Sequence, residues 1–219
     1  MENVLKIAGN LKYFIPLFIL LSVDLFLIIM DLINFYHPFP DPKIFDIGLN
    51  ESYAETYQNF KWILMIIALL MLALFRKEKR YFTWILVFIV LFLEDVFRVH
   101  DVMANALCSA FQLDSQRSEK IIELVLALFL GIVFLTPVYR AYKSGDATFR
   151  KYSKATFILL LLFLFCAVIL DQVHRLSVVE YNWKYNAAFG MFEDGGELIT
   201  ESCLTGYLLS IAFKQQASI

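Results

Sequence analysis

The chain has 219 residues, of which 60% are hydrophobic, with a mean hydropathy of +0.65 and a formal net charge of −2. That apolar share exceeds what a soluble domain carries, and no excess of basic residues points to nucleic acid as a partner. Three cysteines, Cys108, Cys166 and Cys203, form neither a CxxC pair nor an even set, which argues against a disulfide scaffold or a thiol-redox motif.

The apolar runs predict an all-α, polytopic bundle of about six transmembrane helices in a single domain covering residues 1–219. Lys6 and Lys12 precede a first run too long for a signal-peptide core and lacking a small-residue cleavage site, so the first span is read as retained. The spans are expected at about 13–35, 59–75, 81–103, 119–138, 155–176 and 186–213. The first is interrupted by Asp24 and Asp31, seven apart and therefore on one face. A proline-containing acidic loop follows from His37. The second span closes on the basic run Arg76–Arg80. The third breaks in its second half into Glu94, Asp95, Arg98, His100 and Asp101. The fourth is followed by Arg140, Lys143, Arg150, Lys151 and Lys154, the fifth ends in Asp171, Gln172, His174 and Arg175, and Lys214 follows the sixth.

Lysine and arginine concentrate on cytoplasmic segments. With six spans, the N-terminus, residues 76–80, residues 140–154 and Lys214 share one side, and the acidic loop lies on the other. Both termini are then cytoplasmic. The expected location is the inner membrane of a bacterium, with the polar residues facing the extracytoplasmic side. Odd spans run outward and even spans inward, so Glu94–Asp101, Glu123, Asp171–Arg175 and Glu193–Glu197 occupy the same outer half. At 1.5 Å per residue, Glu94 and Glu197 lie roughly 10–15 Å below the outer surface. The inner halves of spans two to six read as almost purely apolar, which predicts one outward-opening polar pocket above an apolar floor.

The densest polar set is on the last span. Glu193, Asp194, Glu197 and Glu201 fall within a sector of about 100° on a helix. Each carboxylate at bilayer depth costs about 2.5–3.5 kcal/mol on insertion scales, so four on one face point to a bundle interior or a wet cavity. Gly195 and Gly196 between them allow close approach of a backbone, ligand or ion. On span three, Glu94, Arg98 and Asp101 share a face, and Arg98 is expected to serve as counter-ion to a carboxylate. On span five, Asp171 and His174 form a carboxylate-x-x-His pair, the unit that di-iron and di-manganese bundles use twice. One such pair beside surplus carboxylates predicts a divalent metal site, Zn or Fe/Mn, with Glu94, His100, Asp171, His174, Glu193 and Glu197 as ligands. Asp101 and Glu201 are the candidate catalytic acids.

The sequence carries no nucleophile elbow, P-loop or HExxH motif. The segments LEDVFRVHD at 93–101 and FEDGGELITE at 192–201 resemble patterns in uncharacterised bacterial multi-pass membrane proteins. That resemblance covers about two spans and implies no activity. The expected function is a metal-dependent membrane enzyme, hydrolase or di-metal oxidoreductase, acting on a lipid or other membrane-borne substrate. The alternative is a cation- or proton-coupled transporter or channel subunit, and a third reading treats the acids as interhelical hydrogen bonding only.

Overall fold

Long apolar runs separated by short polar breaks leave the backbone no partner but itself inside a bilayer, and helices result. The computed structural model describes residues 12–49, 51–111, 116–170, 173 and 183–217. Among them are seven α-helices and no strand. They are α1 (Ile15–Tyr36), α2 (Tyr53–Phe75), α3 (Tyr81–Phe97), α4 (Val99–Ala110), α5 (Gln116–Ser144), α6 (Ala147–Leu164) and α7 (Trp183–Gln216). A π-helical stretch, Phe165–Leu170, continues α6.

Several boundaries have local causes. Ser52 caps α2 by accepting from Glu55 N–H at 3.2 Å, while the Glu55 carboxylate turns back and accepts from the N–H of Glu51, the residue before the cap. Asp146 caps α6 through Phe149 N–H at 2.7 Å. The single span expected at 81–103 is two helices instead, because Arg98 adopts the left-handed conformation (φ 47°, ψ 48°) and ends α3. Arg98 makes no ion pair with any described residue, and its backbone is a joint.

Helix α7 is the centre of the bundle and packs on α1, α2 and α6; α3 packs on α2, and α5 on α3 and α4. The main core gathers Trp62, Met65, Leu69, Phe88, Leu204 and Leu208. The tightest crossing is between α1 and α7 at Gly206, where an added Cβ would lie 2.7 Å from Leu17 Cβ and 2.9 Å from its Cα. The acidic-face glycines are less constrained: at Gly195 the nearest atom would be Ile28 Cδ1 at 3.4 Å, and at Gly196 the Cys166 sulfur at 3.2 Å.

Arg76, at the end of α2, bonds Asp146 at 3.0 Å and Gln215 at 3.3 Å. The basic segments and the end of α7 therefore share one end of the bundle. At the other, the loop after α1 folds back, and Ile47 is buried with Leu27, Ala54 and Leu198. Four helices are long and apolar enough to cross a membrane: α1, α2, Ile121–Ser144 of α5, and Ala147–Leu170. Their outward faces expose Phe18, Ile19, Leu128, Phe129, Ile132 and Ile158. This is compatible with an integral membrane protein. Helix α3, at 17 residues, and the acid-bearing α7 fall outside that set of four.

Candidate functional site

On α2, helical spacing places Tyr57, Gln58, Lys61 and Trp62 on the side facing α7 and α3. Lys61 is the residue that sequence reasoning missed. Its side chain is completely buried, and its ammonium lies 3.0 Å from Glu201 Oε2 on α7 and 3.5 Å from Asp24 Oδ1 on α1. It also donates to the Leu198 carbonyl at 3.0 Å and sits 4.7 Å from the centre of the Tyr57 ring. Tyr57 in turn donates to the Leu20 carbonyl at 3.0 Å. One ammonium thus ties together three helices. A lysine inside an apolar run was the available clue, since a charge at bilayer depth demands a partner.

One turn along α2, Gln58 Nε2 donates to Glu197 Oε1 at 2.9 Å, and Trp62 Nε1 donates to Asp95 Oδ2 at 3.2 Å. Glu197 and Asp95 open onto a cavity of about 350 Å³ between α3, α5 and α6. Glu94 and Glu123 complete its acidic end, and Val87, Leu91, Phe134, Leu160, Phe163 and Leu164 are among its apolar walls. From Glu123 to Leu135 the cavity follows α5 for roughly 18 Å at the helical rise. Its volume is that of a small-molecule site. Gly131 faces this space, and an added Cβ there would meet no atom within 4 Å.

The acidic sector of α7 is therefore divided among different surroundings. Asp194 abuts the loop at Gly48, Glu197 reaches the cavity, and Glu201 belongs to the lysine-centred cluster. Glu193 is buried on α7 but does not line the cavity. Of the expected metal ligands, the fold brings Glu94 and Glu197 to one cavity. Asp171 and His174 lie outside the described residues. His100 and Asp101 fall on α4, beyond the Arg98 joint, and their side chains are likewise outside the description. Among the described residues no three His, Cys, Asp or Glu side chains converge as a metal-holding set.

A family profile covers most of the chain: residues 15–211 match the Domain of unknown function (DUF8692). The chain belongs to this family. No curated protein and no solved structure matches it. The match begins at the first residue of α1 and ends near the close of α7, so the DUF8692 unit takes in the three helices that Lys61 joins as well as the cavity. The family's description names no activity.

Proposed function

We propose that this DUF8692 protein is a six-span membrane enzyme, with both termini cytoplasmic, that takes a lipid or other membrane-borne amphiphile into the cavity between α3, α5 and α6. The observation that supports this reading is the cavity's two-part lining. An apolar channel of acyl-chain length ends in Glu94, Asp95, Glu123 and Glu197. Carboxylates held by neutral donors, as Glu197 is by Gln58 and Asp95 by Trp62, retain their capacity to accept a proton or to meet a cationic head group. Metal dependence belongs to the same proposal and requires Asp171 and His174 to join Glu94 and Glu197. Elemental analysis of protein purified without chelator tests that part, with Zn or Fe/Mn at stoichiometric occupancy as the supporting result.

Gly131→Trp tests the cavity itself. The side chain would enter open space beside the apolar walls and replace a glycine inside a helix, so folding should be preserved. Binding of a fluorescent long-chain alkylamine should fall about tenfold or more, which is a little over 1 kcal/mol. Undiminished binding in a folded Gly131→Trp protein would remove the cavity from the proposal.

Orientation has its own test. On a cysteine-free background, Asp46→Cys should react with an impermeant thiol reagent from outside, and Glu78→Cys and Lys151→Cys only from inside. External labelling at position 78 would invert the topology. A second reading, cation- or proton-coupled transport, is favoured by the polar groups that lead from the cavity through Glu197 and Gln58 to Lys61. Ion flux in liposomes separates it from the enzyme reading.

A further inference from the structure

The lysine-centred cluster is not charge-balanced. Asp24, Lys61 and Glu201 are each 0% exposed as residues. Two carboxylates facing one ammonium leave a net charge of −1 where no water reaches, and a buried unpaired charge is costly enough that such groups neutralise instead. The surroundings do not relieve it. Among the described residues, the cluster is faced from α2 by Tyr57 and Lys61, from α7 by Glu197 and Cys203, from α3 by Asp95, and from α1 by Asp24; Lys61 is the only cation of this described set. Any neutral arrangement of the three groups therefore carries one proton more than the fully ionised one.

Two further observations indicate where that proton resides. Lys61 donates to Asp24 Oδ1 and the Leu198 carbonyl and faces Glu201 Oε2 as an ion pair at 3.0 Å, so the centre of the cluster is already filled by positive charge and has no place for a metal cation. Meanwhile both carboxyl oxygens of Glu201 and Oδ2 of Asp24, all buried, have no hydrogen-bond partner. The Ser202 hydroxyl, fully buried beside Asp24 and Tyr57, also lacks one.

We propose that Asp24, Lys61 and Glu201 form an intramembrane proton-binding site, in which one proton beyond the lysine's own is shared between the two carboxyls. When Asp24 holds it, the ammonium pairs with Glu201; when Glu201 holds it, the ammonium pairs with Asp24. The two states have the same proton count and are both neutral, and they differ only in which carboxyl carries the proton. The inference does not depend on what occupies the cavity.

Infrared difference spectroscopy of the reconstituted full chain at neutral pH tests the proton count. The wild-type minus Glu201→Gln and wild-type minus Asp24→Asn spectra should each show a protonated-carboxyl band that shifts in D2O. Each variant keeps one carboxylate opposite one ammonium and needs no extra proton, so the band should be lost completely in both. Absence of a difference band in either pair, or a band insensitive to D2O, overturns the proposal. Wild-type protein supplies a check that needs no variant to fold: the assigned carboxyl carbon-13 resonances of Asp24 and Glu201 should both lie between the ionised and protonated limits. Two fully ionised resonances, or two fully protonated ones, overturn it equally.

Discussion

Replacing Lys61 by methionine should destabilise the protein by about 3–5 kcal/mol at neutral pH, the range measured when one partner of a buried ion pair is removed. Methionine matches the length of the lysine stem, so packing against Tyr57 and Leu198 is largely kept and the lost charge dominates. Asp24 and Glu201 would then face each other across a dry interior without their shared cation. Lowering the pH should recover part of the loss, because protons on both carboxyls remove the charge that the ammonium no longer balances. Combining Lys61→Met with Asp24→Asn and Glu201→Gln should recover most of it at any pH, since no ionised group is left. Unfolding midpoints of the detergent-solubilised proteins check both statements. A Lys61→Met protein as stable as wild type would mean that the cluster contributes nothing to holding α1, α2 and α7 together.

Trp84→Ala should have an effect of similar size for a different reason. Trp84 is 1% exposed, its ring lies 6.1 Å from that of Phe88, and its Nε1 donates to Ser153 Oγ at 2.8 Å, tying α3 to α6. Truncating a buried Trp leaves a void that the neighbouring helices fill only in part, at a cost of about 3–5 kcal/mol. Within a bilayer this matters especially, because contact packing, not burial from water, holds one helix against another. Trp84→Phe keeps one aromatic ring, leaves a smaller void and removes the hydrogen bond to Ser153, so its cost should be about 1–3 kcal/mol and below that of alanine. Thermal unfolding midpoints in one detergent should rank wild type, Trp84→Phe and Trp84→Ala in that order. Equal losses in the two variants would assign the stabilisation to the Ser153 bond instead of to ring packing.

Much of the architecture was legible from residue order alone. Apolar runs of about twenty residues require helices, since a bilayer leaves the backbone no other partner, and α1, α2, α5 and α6 stand where those runs lie. Periodicity alone gathers the acids of α7 on one sector, and the fold turns two of them, Glu197 and Glu201, toward polar partners in the interior. The helices and the acidic sector rest on local geometry, whereas the partners of Glu197 and Glu201 come from packing.

Other features needed the tertiary structure. Nothing in the LEDVFRVHD segment marks Arg98 for a left-handed backbone, a conformation rare for a residue with a Cβ, so the expected third span hid a joint. Lys61 stands near the start of an apolar run, and that position alone does not name its partners, which lie 37 residues back and 140 residues ahead in the chain, on helices it meets only after packing. The cavity has no residue motif at all. It exists because α5, with Gly131 facing open space, does not close against α3 and α6, and a gap between helices is a property of their packing that no single segment encodes. Helices and their polar faces follow from short-range spacing, whereas charge pairing, joints and voids follow from which faces meet.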